Sequence, residues 1–94
     1  MIARLTRYRI KPEHIDDVTA KIPDIKQALT QVEQMVAHYA AWRDNGDAMV
    51  FVVYNNMADA EAGLAQAGGI WTSLAPYLDG EPEMITFENA EKMR

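Results

Sequence analysis

The sequence contains no cysteine, one serine and two histidines. Without cysteine there is no disulfide framework, no thiol nucleophile and no cysteine-ligated zinc or iron–sulfur centre. The lone serine, Ser73, lies in Ile70-Trp71-Thr72-Ser73-Leu74. It lacks the flanking glycines that present a serine nucleophile on a strand-to-helix elbow. His14 and His38 do not have the paired spacing of a helical zinc site. The glycine pair Gly68-Gly69 follows a helical pattern, not a strand, so no glycine-rich loop is placed to cradle phosphate. No apolar run approaches the roughly 20 residues needed to span a bilayer. The opening Met1-Ile2-Ala3-Arg4 lacks the apolar core and cleavage site of a secretory signal. The expectation is a cytoplasmic protein with no membrane partner.

Bases are scarce too: 9 Lys and Arg stand against 14 Asp and Glu, giving a net charge of −5. A polyanion gains affinity mainly through counterions released by Lys and Arg, so no nucleic-acid partner is expected. Arg4, Arg7, Arg9 and Lys11 do cluster on the first strand, with Arg7 and Arg9 on one face and Arg4 on the other. This cluster reads as a solvated strand edge with carboxylate neighbours.

What is present is one domain. Its 94 residues, 49% of them hydrophobic, suffice for a single core and no second one. Residues 2–10 read as a strand rich in β-branched and aromatic types. Lys11-Pro12-Glu13 opens a helix whose apolar residues Ile15, Val18, Ile22, Ile25, Leu29 and Val32 recur three and four apart. Because that stripe stays in phase across Pro23, the expectation is one kinked helix. Met35–Arg43 and Ala48–Asn55 form strands two and three around Asn45-Gly46, a pair that favours positive φ at both residues of a tight hairpin. Asn56 caps a slim, alanine-rich helix over 57–67, with Asp59 completing a capping-box-like arrangement. Gly68-Gly69 is expected to stop it, and a second short helical stretch carries Ile70, Trp71, Leu74 and Leu78 toward Pro76. Met84–Glu88 is strand four and 89–94 a polar tail.

The order β-α-β-β-α-β defines an α+β, ferredoxin-like fold, a four-stranded antiparallel sheet with helices on one face. Strand three, Met49-Val50-Phe51-Val52-Val53-Tyr54, is apolar on both faces, so water must be excluded from both. The chain's helices can cover one side. The other calls for a second copy, hence a homodimer through the sheet faces.

Several segments together resemble the dimeric α/β-barrel superfamily, and within it the antibiotic-biosynthesis-monooxygenase-like domains. They are Arg9-Ile10-Lys11-Pro12-Glu13 after strand one, the Trp42-Arg43-Asp44-Asn45-Gly46-Asp47 corner, and the strand ending at Tyr54. The acidic start of the helix after it and Leu74-Ala75-Pro76-Tyr77-Leu78-Asp79-Gly80 complete the pattern. The resemblance covers nearly the whole chain. It implies a dimeric α/β barrel with a small apolar cavity between sheet and helices in each protomer. Members include oxygenases that act on quinols or polycyclic phenols without metal or flavin, so no cofactor is implied. The haem-degrading branch carries Asn on strand one and His late in the second helix. Here strand one offers Thr6 and Tyr8, and the 57–70 stretch has no His. The stress-responsive barrels also usually carry a His in that helix region. Both readings are therefore set aside.

The candidate chemistry gathers around His38. It shares a strand face with Val36, Ala40 and Trp42, and the small Ala40 leaves room for a ligand ring. A buried, neutral imidazole can act as general base on a phenol; the alternative is an inert, hydrogen-bonded histidine at a dimer interface. His14, beside Glu13 and Asp16, reads as solvated. Tyr8 and Arg4 share a face of strand one and can orient a phenolate or carboxylate. Tyr54 is a further hydrogen-bonding group, while Trp42 and Trp71 are candidate walls, Trp71 also reading as core. The functional expectations are a cofactor-independent monooxygenase acting on a small aromatic or quinol-like substrate, or a non-catalytic barrel that binds a small apolar metabolite or only assembles. An RNA-recognition module shares the strand order but requires a glycine-containing third strand with exposed aromatics, which Met49–Tyr54 is not.

Overall fold

In a computed structural model covering Met1–Arg94, the hairpin corner sets the frame of the sheet. Arg43 N–H donates to Asp47 O at 2.7 Å and Gly46 N–H to Arg43 O at 3.0 Å, enclosing a three-residue loop. Gly46 has φ of 100°, and no residue other than glycine has positive φ. The turn is thus the three-residue kind with a left-handed glycine, which corrects the expectation of positive φ at Asn45 as well. Asn45 contributes through its side chain, its Oδ1 accepting from Asp47 N–H at 3.0 Å. Gly46 O in turn accepts from Ile10 N–H at 2.8 Å, tying the hairpin to the end of strand one.

The strands are β1 (Ile2–Arg9), β2 (Met35–Trp42), β3 (Asp47–Tyr54) and β4 (Glu83–Phe87), all antiparallel to their neighbours in the order β2-β3-β1-β4. Central strands β1 and β3 pair from Ile2 opposite Tyr54 to Arg9 opposite Asp47. A bulge between Met35 and Ala37 shifts the start of β2. After β1, a single 3-10 turn at Pro12–His14 leads into α1 (Ile15–Ala20) and α2 (Ile22–Leu29). The long helix α3 (Met57–Leu74) follows β3. The sequence therefore indicates the ferredoxin-like α+β architecture correctly.

Two helical details differ from expectation. The first helical region breaks at Lys21, two residues before Pro23, leaving proline within the first turn of α2. There its missing N–H is no loss, because first-turn donors have no intrahelical partner. The apolar stripe keeps its phase across the break. The second difference is that α3 runs straight through Gly68 and Gly69, neither of which has positive φ. Two glycines weaken a helix by about 1 kcal/mol each. Continuing it delivers Ile70, Trp71 and Leu74 to the core cluster of Ile10, Val18, Leu74 and Leu78, which outweighs that loss. The N-cap is as read: Asp59 N–H donates to Asn56 Oδ1 at 2.9 Å.

Alternation divides the sheet into two unlike faces. Even-numbered residues of β1 and β3, and of β2 from His38 onward, look toward the helices. At the bulge the odd-numbered Met35, opposite Tyr54, takes that place, and Val36, expected on the His38 face, is exposed. Odd-numbered residues form the other face, with one apolar row, Tyr39, Phe51, Leu5 and Ile85, crossing all four strands. Val53, Ala3 and Phe87 extend it on one side. On this face Tyr39 is 69% exposed and Phe87 45% exposed, while Leu5, Phe51, Val53 and Ile85 are half-buried and Ala3 is buried. No helix is long and apolar enough to cross a membrane.

Candidate functional site

Between sheet and helices lies a cavity of about 630 Å³. Its floor comes from the even face of the sheet: Arg4, Thr6, Tyr8 and Ile10 from β1, His38, Ala40 and Trp42 from β2, Val50, Val52 and Tyr54 from β3. Its roof comes from Val18, Ile22, Ile25 and Leu29 of the first two helices and from Leu64, Ala67, Ile70, Trp71 and Leu74 of α3. Of the alanines of α3 only Ala67 lines this space; the rest of that wall is Leu64, Ile70, Trp71 and Leu74. A cavity of this size, mostly apolar with a few convergent polar groups, is the usual form of a small-molecule site.

All six residues singled out from the sequence line this one cavity: Arg4, Tyr8, His38, Trp42, Tyr54 and Trp71. His38 and Arg4 are both register partners of Val52. The imidazole and guanidinium therefore arise two strand spacings apart, about 10 Å, with Val52 between them. His38 lies on the helix-facing side of the sheet. Burial lowers its pKa below the ordinary 6.5, leaving a neutral ring that can accept a proton near pH 7. Tyr8 meets Trp71 edge-on, with ring centroids 5.1 Å apart and an interplanar angle of 82°. Trp71 is thus both cavity wall and core packing. Burial raises the Tyr8 phenol above its ordinary value.

At the other end of the floor, Tyr54 is 2% exposed and lies beneath Gly63 of α3. Burial raises its phenol, while the charge of Arg4 pulls the other way. Arg4 donates through Nη1 to Ala60 O at 3.0 Å and through Nε to Thr86 Oγ1 at 3.2 Å. Arg7 and Arg9 face away from the cavity. Arg9 is paired with Asp47 and Asp79, as expected for a solvated edge. His14 bonds Asp17 at 2.8 Å and stacks edge-on to Tyr77, outside the cavity.

Sequence reasoning did not single out Thr6, Thr19, Lys26 and Thr30, all of which line the cavity. Thr6 was legible from alternation, since it lies between Arg4 and Tyr8. Thr19, Lys26 and Thr30 recur at helical spacing along the flank of the apolar stripe, a weak signal without knowledge of the cavity. No cluster of His, Asp or Glu side chains capable of holding a metal occurs.

Compared with solved structures, the chain overlays a crystal structure of antibiotic biosynthesis monooxygenase at a TM-score of 0.81, covering 97% of this chain and 100% of that one at 15% identity. The chain has the antibiotic-biosynthesis-monooxygenase-like fold. The NE2512 protein of unknown function from Nitrosomonas europaea aligns at TM-score 0.83 and 19% identity, over 99% of this chain and 93% of that one. Rv0793 from Mycobacterium tuberculosis aligns at TM-score 0.79 and 9% identity, over 99% and 98%. No protein-family model matches the sequence, and no curated protein matches it. At these identities the likeness shows the fold alone, and residue roles rest on this chain's own geometry.

Proposed function

We propose that this protein is a cofactor-independent monooxygenase that oxidises a small aromatic or quinol-like substrate, working as a homodimer joined through the outer sheet faces. The observation that carries the reading is the cavity, which gathers a neutral imidazole, two phenols and two tryptophans in an otherwise apolar space. In this scheme His38 takes the phenolic proton of the bound substrate, and Tyr8 or Tyr54 hydrogen-bonds the resulting oxyanion. Trp42 and Trp71 hold the ring. Dioxygen then reacts with an electron-rich ring carbon that carries hydrogen, para to the oxyanion in a phenol or ortho to it in a quinol. One oxygen atom becomes a new carbonyl and the other leaves as water with the displaced hydrogen. The phenol, C–H to C=O, supplies all four electrons, so the balance needs no further reductant. The protein's part is to bind, deprotonate and exclude water.

The fold likeness to an antibiotic biosynthesis monooxygenase supports the same reading. Oxygen-electrode assays with hydroquinones and hydroxynaphthalenes test it. Uptake matched by a quinone product that has gained one oxygen atom, lost on His38→Ala, is the expected result; full turnover in that variant removes His38 from the scheme.

One observation favours a second reading. No Asp or Glu lines the cavity, so His38 has no acidic partner to orient its ring and stabilise the imidazolium. A barrel that only binds an apolar metabolite needs no such partner. Saturable binding of the same compounds without oxygen uptake would favour it.

A further inference from the structure

Arg4 is a buried cation without a counter-ion. It is 8% exposed, lines the cavity, and takes part in no salt bridge. Its two protein hydrogen bonds go to neutral acceptors, Ala60 O and Thr86 Oγ1. A guanidinium has five N–H donors, so further donors remain. Burying an unpaired charge is expensive, and proteins ordinarily offset it with a carboxylate. Here the neighbours on every side are otherwise: Thr6, Val52 and Thr86 on the sheet, Ala60 above, and the Tyr54 phenol, which burial keeps protonated.

The wider charge pattern agrees. The chain carries 14 acidic residues against 9 basic ones, yet the ionised side chains lining the cavity are Arg4 and Lys26, and none is acidic. An acidic protein has thus kept every carboxylate out of this space. The field inside a low-dielectric pocket is set by the nearest charges, and these are positive.

We infer that the cavity takes an anionic ligand, a flat apolar ring system bearing one carboxylate or acidic enolate, whose charge pairs with Arg4 while the rings lie among Trp71, Trp42 and Ala40. The inference rests on the cavity being the binding site, and it is independent of whether oxygen is consumed. It deepens the proposed function by making the substrate an acidic aromatic instead of a neutral phenol. A planar guanidinium matches a carboxylate through two parallel hydrogen bonds.

A matched pair of probes tests it: 2-naphthoate and 2-naphthylmethanol, alike in shape and differing in charge. Binding to the full protein is followed by tryptophan fluorescence, since Trp42 and Trp71 both line the cavity. The expected result is a preference for the naphthoate of about tenfold or more, abolished in Arg4→Met and partly kept in Arg4→Lys. Methionine replaces an unpaired buried charge by apolar volume, so thermal stability of the empty Arg4→Met protein should be unchanged or higher. A purely structural arginine would instead show loss of stability with no change in probe preference. Equal affinities in the unaltered protein overturn the anion inference and leave the cavity reading intact. Binding of neither probe at millimolar concentration overturns both. Should either variant fail to fold, the comparison in the unaltered protein decides alone.

Discussion

Gly63 and Tyr54 are fitted to each other: a Cβ on Gly63 would lie 2.5 Å from Tyr54 Cε1 and 2.9 Å from its hydroxyl. The absence of one carbon on α3 is what lets the tyrosine ring approach the helix this closely. Gly63→Ala must displace that buried ring. Overpacking costs about 1–3 kcal/mol, against a helix-propensity gain of about 1 kcal/mol, so urea denaturation should show a net loss of up to about 2 kcal/mol. Gly69→Ala, in the same helix with open space around its Cβ, should gain about 0.5–1 kcal/mol. Equal effects at the two sites would contradict the close fit.

Stability should depend on pH through His38. Its folded-state pKa lies below the unfolded value of 6.5 because the ring is buried. Below that unfolded value the unfolded chain binds more protons than the folded one. This contribution is therefore complete above about pH 6.5 and lost as pH falls toward the folded value. Urea midpoints measured at about pH 7.5 and 5.5 should differ less in His38→Gln than in the unaltered protein. Identical pH slopes would mean the imidazole is as well solvated folded as unfolded.

The outer sheet face predicts the assembly. Tyr39 and Phe87 protrude from the protomer on the face that the apolar row Tyr39–Phe51–Leu5–Ile85 crosses. Contiguous exposed apolar patches of this kind mark interaction surfaces. Sedimentation equilibrium should give a dimer for the unaltered protein and a monomer for Tyr39→Lys combined with Phe87→Lys. Because both side chains are already exposed, the double variant should keep its circular dichroism spectrum. A monomer before substitution would sink the homodimer.

Gly46 holds the end of the sheet. With φ of 100°, a side chain there is strained by about 1–3 kcal/mol, and its Cβ would overlap the Ile10 carbonyl oxygen. Gly46→Ala should lower stability by at least that amount in chemical denaturation. Asn45→Ala, which loses two exposed side-chain bonds to Asp47, one of them long, should cost about 1 kcal/mol or less.

Much of this was written in local sequence. The Asn56 cap, the left-handed Gly46, the helical stripe from Ile15 to Leu29 and the four strands follow from short-range rules of φ, capping and periodicity. Those rules act within a few residues and need no knowledge of neighbours. Alternation alone also grouped Arg4 with Tyr8, and His38 with Ala40 and Trp42. The Gly68-Gly69 pair read as a stop by the same local logic and proved otherwise. The stop would have stranded Ile70, Trp71 and Leu74 away from Ile10 and Leu78, and burial of those side chains is a long-range gain that propensity does not register.

The residue pattern by itself determined the order of elements along the chain and most of the side chains that share a face. It also required that β3 be shielded twice. Tertiary packing alone decided which of the two sheet faces meets the helices, because that choice depends on how residues 50 positions apart come together. It thereby placed Arg4 inside with no acid beside it and left Tyr39 and Phe87 outside.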